Sequence, residues 1–258
     1  MAVAKAIRDS YENHGWDVVG TEVPWSGGFV DLVIRQGSTV QFVECKRSLD
    51  DEWIFLVDNN QARPTERCRL EWFNGHAQAE PERFIPGLRY HRLFTSEFRV
   101  SPGSLESEYC VTTKKKSPTQ TLEPTCSELL NALHELGDIC GDSHEFPLEH
   151  LIPTIVTSAP VLTCAFEPTA QMLATGEIEN ATTIPARLVR FRKSFVNYRS
   201  DQFADSPVGL RSLREDRERT VLVIHAESLI DVLQGMTAPR YDRHGATPPE
   251  FADPPRRR

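Results

Sequence analysis

The sequence predicts an α/β fold, and three observations carry that expectation. Residues 29–34 and 39–46 are runs rich in β-branched and aromatic residues, joined by the turn-like Arg35-Gln36-Gly37-Ser38. Leu129, Leu130, Leu133 and Leu136 recur at helical spacing. The apolar run at 220–224 is continuous rather than alternating, the pattern of a strand covered on both faces.

Taken in order, residues 1–14 read as a helix with Val3, Ile7, Tyr11 and His14 on its apolar stripe, closed by Gly15. Residues 16–23 follow as a strand, and then the hairpin. Residues 50–125 are less regular. Trp53-Ile54-Phe55-Leu56-Val57 suits a strand or a helical turn, and an aromatic patch, Leu70-Glu71-Trp72-Phe73, lies beyond Pro, Gly and Arg punctuation. Helical periodicity returns over 126–136, with Ser127 as its cap. A buried strand pair at 151–157 and 161–166 is expected next, hinged at Ala159-Pro160. The remainder holds a strand near 187–196 and the run from Thr220 to His225, which leads into a helix at 227–233. The expected division is a core over residues 1–166, with about 50–125 inserted. Residues 167–258 then extend the same sheet or form a small subdomain, ending in a disordered tail behind Pro254-Pro255.

The chemistry concentrates in the hairpin. Alternation along a strand puts Glu44 and Lys46 on one face and Val43 and Cys45 on the other. Pairing of the two strands brings Asp31 beside them. Two acids and a lysine inside an apolar hairpin are costly to bury unless they are paired or bind a cation. Adjacent carboxylates repel unless a cation lies between them, and hard oxygen ligands suit Mg²⁺. Such an ion can polarise a phosphate and acidify a water, and the lysine can orient that water. The reaction implied is phosphodiester hydrolysis.

These residues resemble the PD-(D/E)xK nuclease superfamily. Gly28-Phe29-Val30-Asp31 supplies the first acid, and Glu44-Cys45-Lys46 the (D/E)xK triplet after a gap of twelve residues. A helix closed by Gly15-Trp16 precedes them, as is common in the superfamily. The resemblance covers roughly the first fifty residues. It implies a restriction-endonuclease-like core of αβββαβ order, with Asp31, Glu44 and Lys46 catalytic. It also implies Mg²⁺, with Mn²⁺ as a substitute, held by Asp31, Glu44 and the backbone carbonyl of Cys45. DNA is the implied substrate, RNA being compatible with the same chemistry, and the implied setting is restriction, phage defence or repair. Many members carry a further acid on the first helix. The corresponding position here is near Ala4, and Glu12, the nearest acid, reads as a solvated surface residue. Gln61 stands where some relatives place a helper polar residue.

Composition sets the surroundings. The chain has 258 residues and a net charge of −8, which argues against nonspecific coating of nucleic acid and leaves room for local contacts. The expected phosphate contacts are Arg187, Arg190, Arg192 and Lys193, with Phe191 and Tyr198 interleaved. Lys114-Lys115-Lys116 and Arg256-Arg257-Arg258 are further basic runs. Six scattered cysteines give neither a disulfide framework nor a zinc spacing, so a reducing cytoplasm is expected. Cys45 reads as a small core residue rather than a nucleophile. His134, His150 and His225 lack ligand-like spacing and read as structural, and His91 is a weak substrate contact at most. No membrane span or secretory signal is indicated. A homodimer follows from the need for two sites to cut a duplex. Two other readings fit the same residues. One is a nuclease-like module that binds nucleic acid without cutting it. The other is a regulatory protein whose hairpin charges only pair with each other.

Overall fold

The computed structural model describes residues 2–37, 39–47, 52–58, 64–74, 92–112, 122–141, 150–166, 182–194 and 218–237. Gln61, His91, the lysine run, Tyr198 and the terminal arginines lie outside them, as does most of the basic stretch beyond Ser194. Two short helices open the chain, α1 (Ala2–Asp9) and α2 (Tyr11–His14). Strands β1 (Asp17–Trp25), β2 (Gly28–Gln36) and β3 (Thr39–Lys46) follow. Next come β4 (Trp53–Asp58), β5 (Thr65–Asn74), β6 (Arg92–Ser107) and β7 (Tyr109–Thr112), and then the long helix α3 (Leu122–Gly141). The chain continues through β8 (His150–Thr157), β9 (Val161–Phe166), β10 (Thr183–Pro185), β11 (Leu188–Ser194) and β12 (Glu218–His225). A 3₁₀ turn, helix α4 (Leu229–Gly235) and β13 (Met236–Thr237) close it.

The strands form two sheets. The larger has nine strands in the order β1-β2-β3-β8-β12-β11-β6-β13, with β5 also paired to β6. β2 is antiparallel to both β1 and β3, whereas β3 runs parallel to β8 and β8 parallel to β12. The smaller sheet has the order β10-β9-β4-β7, with β4 and β9 parallel. Parallel strands covered on both faces need apolar side chains throughout, and β12 is buried from Arg219 to Ile224.

Two apolar clusters sandwich the large sheet. On one face Ala4 and Ile7 of α1 and Leu229, Val232 and Leu233 of α4 meet Leu32, Ile34, Val43, Ile152 and Ile224. On the other, Leu129, Leu130, Leu133 and Leu136 of α3 meet Val33, Val40, Phe42, Ile155, Val221 and Phe191. Trp53 and Phe55 of the smaller sheet join this second cluster, with the Phe55 and Phe191 rings edge to face at 5.7 Å.

Three expectations need correction. The 151–157 and 161–166 runs are not a pair: β8 lies between β3 and β12, while β9 lies between β10 and β4. Ser127 is inside α3 rather than at its cap, and its hydroxyl donates back to the Glu123 carbonyl at 3.0 Å. The first helix breaks at Ser10, so Tyr11 leaves the apolar stripe and is 45% exposed. Of the two arrangements expected for residues 167–258, the described part extends the sheet: β12 lies at its centre beside β8, with β11 next to it.

Candidate active site

The site forms where the central hairpin comes apart. β2 and β3 pair regularly from Gln36↔Thr39 to Leu32↔Val43. Past that point the Asp31 carboxylate replaces a backbone acceptor: its Oδ2 takes the Cys45 N–H at 2.7 Å. β1 kinks at the same level. Glu22, at φ 52°, is the only non-glycine residue with positive φ among the described residues, and it lies between the pairs Thr21↔Leu32 and Val23↔Val30, opposite Asp31. The kink breaks the alternation of β2. Val30 packs in the same cluster as Val33, three residues on, although strict alternation would put them on opposite faces. Asp31 is at the point of the break, which turns its carboxylate toward the end of β3.

Glu44 and Lys46 continue the face of β3 that carries Val40 and Phe42, the face covered by α3. The Lys46 ammonium donates to Glu44 Oε1 at 2.8 Å, and the two side chains are 32% and 18% exposed. Burial pushes the Glu44 carboxyl above its usual range; the charges of Asp31 and Glu128 push the same way, and Lys46 opposes them. Glu128, on α3, is the site neighbour that sequence reasoning missed. Nothing in its spacing marks it, because only the docking of α3 on the sheet brings it near Glu44. That docking is fixed beyond the site by Glu135, which accepts from the Ser26 N–H at 2.8 Å and from the Ser26 hydroxyl, at the tip of the β1–β2 turn.

Cys45 behaves as the alternation requires. Its side chain packs with the α1 face, and burial, aided by Asp31 and Glu44, pushes its thiol up to about 11, which leaves it protonated and a poor nucleophile. Its backbone N–H is spent on Asp31. The Lys46 carbonyl is likewise held, accepting from the Ser158 N–H at 3.1 Å. The strand end that carries the triplet is therefore tied on both sides.

No protein-family model matches this chain, and no curated protein or solved structure is similar to it at a significant level. The reading of the site rests on its own geometry.

The basic stretch is dispersed. Arg190 is buried, its side chain 7% exposed, and it pairs with Glu106 at 2.9 Å and with the Ser104 hydroxyl at 3.2 Å. Arg192 is within 3.4 Å of Glu218. Lys193 points to the other face, where it pairs with Glu123 of α3 and lies 5.9 Å from the Phe191 ring centre. Arg187 is exposed and 3.3 Å from Asp231. Each of the four has an acid beside it, and Lys193 lies on the opposite face of β11 from Arg190 and Arg192. Glu12 is exposed on α2, and Ala4 is buried in α1 on the sheet face opposite α3. Among the described residues no helix is long and apolar enough to cross a membrane.

Proposed function

We propose that this protein is a metal-dependent nuclease that hydrolyses phosphodiester bonds in DNA, with Asp31, Glu44 and Lys46 as its catalytic residues. One observation carries the reading. Two carboxylates and a lysine from adjacent strands converge where the β2–β3 ladder stops, and the Asp31–Cys45 hydrogen bond holds the first acid across that gap. Once β4–β7 are set aside as an insertion between β3 and α3, the succession α1, β1–β3, α3, β8, with β3 parallel to β8, fits the order expected of a restriction-endonuclease-like core.

The donor set suits a hard divalent cation. Asp31 spends one carboxylate oxygen on Cys45, while burial, Asp31 and Glu128 all act against a charge on Glu44. A cation would relieve that cost. Among the described residues no group of three or more acidic, histidine or cysteine side chains is assembled as a metal cage. Mg²⁺ takes one or two carboxylates and keeps several waters, so two acids would suffice. Bound there, Mg²⁺ (or Mn²⁺) would polarise the scissile phosphate and acidify an attacking water. Asp31 and Glu44 would hold it, with the Cys45 carbonyl as a third oxygen. Lys46 would orient the water and offset charge developing on the phosphate. The Glu44 contact keeps the Lys46 ammonium beside the acids.

A second reading has its own support. The helix position that carries an acid in many members is here a buried alanine, as suits a nuclease-like module that binds without cutting. End analysis of the products separates the two. Labelled DNA incubated with the protein and Mg²⁺ should yield 5′-phosphate ends that a ligase can rejoin. Binding that persists in chelator, with intact DNA in both Mg²⁺ and Mn²⁺, would replace the nuclease by the binding module.

A further inference from the structure

The register of the parallel strands places one more polar side chain in line with the site. Lys46 of β3 is paired with Thr157 of β8, and Thr157 with His225 of β12. The three form one row across the carboxyl ends of three parallel neighbours, the edge of an open α/β sheet where ligands bind. They also share a face. Phe42, Ile155 and Val223 pack on the α3 side of these strands, whereas Val43, Val156 and Ile224 pack on the α1 side. By alternation Lys46, Thr157 and His225 continue the α3 side, as Glu44 does. Across the sheet the order is Asp31 on β2, Glu44 and Lys46 on β3, Thr157 on β8 and His225 on β12. Spacing gives His225 no ligand-like partner, because the row joins strands far apart in the chain.

Neighbouring strands are about 4.8 Å apart, which puts the Lys46 and His225 backbones roughly 10 Å from each other. Thr157 lies between them as a floor: it is fully buried, and its hydroxyl accepts from the Ala159 N–H at 3.0 Å. His225 differs from the residues before it. Arg219 to Ile224 are buried, and at His225 this end of β12 reaches solvent. Its backbone is fixed, with the N–H donating to the Arg187 carbonyl at 3.1 Å. Its ring makes no hydrogen bond or ion pair among the described residues, whereas the rings of His14 and the side chain of His134 are engaged in the fold. An imidazole held in this way offers an N–H to an anion. With the scissile phosphate at Asp31, Glu44 and Lys46, a group two strands further on meets the neighbouring nucleotide.

We propose that His225 is a substrate-binding residue of the site. Its ring donates to the phosphate next to the scissile one, so that the DNA strand lies across the carboxyl ends of β3, β8 and β12. A contact of this kind positions the strand without reading its sequence. The inference rests on the nuclease reading for the place of the scissile phosphate, and it adds the direction in which the strand leaves it.

The test uses full-length protein and a labelled 20-nucleotide DNA, single-stranded and as duplex, with binding read in Ca²⁺ and cleavage in Mg²⁺. Wild type is compared with His225→Phe, which keeps a ring without the N–H, and with His225→Arg, which keeps N–H donors. His225→Phe should lose about tenfold in affinity, the size of one hydrogen bond to a charged group, and His225→Arg should bind at least as tightly as wild type. The rate of cleavage at saturating DNA should stay within about threefold of wild type in both, because the contact is made equally before and during reaction. A second measurement does not depend on how well either variant binds: the imidazole proton resonance that both variants lack should shift when DNA is added to wild type. Equal affinity of His225→Phe and wild type, an unmoved resonance, or a saturating rate that falls with affinity unchanged overturns the contact. If wild type binds and cuts DNA with any of those results, the contact alone fails. Binding that depends on His225, without cleavage, keeps the contact and removes the hydrolysis. DNA that wild type neither binds nor cuts removes both.

Discussion

At the scale of single residues, Asp31 has two separable roles. Its carboxylate is a hydrogen-bond acceptor for Cys45 and, in the proposed reaction, a charged ligand. Asp31→Asn keeps an acceptor and should unfold close to wild type while losing any melting response to Mg²⁺. Asp31→Ala leaves the Cys45 N–H without its partner and should cost about 1 kcal/mol or more of stability. Parallel denaturant titrations with and without Mg²⁺ check both, and an Asp31→Asn protein that still answers to Mg²⁺ would remove the acid from the ligand set. His14 gives a pH-dependent counterpart. Its ring accepts the Trp16 N–H at 2.9 Å on Nδ1 and lies 3.2 Å from the Ser10 hydroxyl on Nε2, so the neutral tautomer fills the site. Burial lowers its pKa in the fold. The unfolded chain therefore takes up this proton first, and the His14 contribution is complete above about pH 6.5 and lost as pH falls through its lower folded value. Wild type should lose more stability than His14→Gln between pH 7.5 and pH 5, measured by urea unfolding. An equal loss in both would show that His14 does not carry the effect. Asp31, Glu44 and Lys46 were legible in the sequence because spacing within a hairpin fixes which residues meet. Glu128 was not, because a helix docked from eighty residues away brings it there.

The elements show the same division. β2, β3 and the leucine face of α3 follow from periodicity, since one-sided burial writes its pattern into the chain. The start of α3 was misplaced because Ser127 looks like a cap yet bonds back to Glu123 within the helix. β8 and β9 were recognisable as strands but not as members of different sheets, because a strand buried on both faces carries no mark of its neighbours. The end of α4 depends on a contact invisible in sequence. A Cβ on Gly235 would lie 1.9 Å from the Ser101 carbonyl oxygen of β6, a backbone atom that cannot rotate away. Gly235→Ala should cost about 1–3 kcal/mol as the helix is pushed off the strand. Equilibrium unfolding within about 0.5 kcal/mol of wild type would show that α4 yields without cost.

For the whole molecule, the nearly continuous large sheet decides what can fold alone. A core ending near Phe166 is the natural division from sequence, yet β12 fills the place beside β8, and its Val221–Ile224 side chains supply both apolar clusters. A protein ending at residue 166 would expose the β8 edge and remove the side chains that β11, β12 and α4 supply to the two clusters. It should show no cooperative unfolding transition, whereas full-length protein should unfold as one unit. A truncated chain with native-like cooperativity would make residues 167–258 dispensable to the fold. The same sheet sets the surroundings of the basic stretch: β11 lies between β12 and β6, and its Arg190, Arg192 and Lys193 each pair with an acid.

The central claim is that the carboxylates and the lysine at the open end of β2 and β3 hydrolyse phosphodiesters with a metal. Incubation of plasmid and single-stranded circular DNA with wild type, Asp31→Asn and Lys46→Ala, in Mg²⁺ and in EDTA, tests it most directly. Cleavage is predicted for wild type in Mg²⁺ alone, with both variants at least a hundredfold slower, on the order expected for loss of one catalytic group. Intact DNA in every lane, or cutting by wild type that survives EDTA or either substitution, would contradict the account.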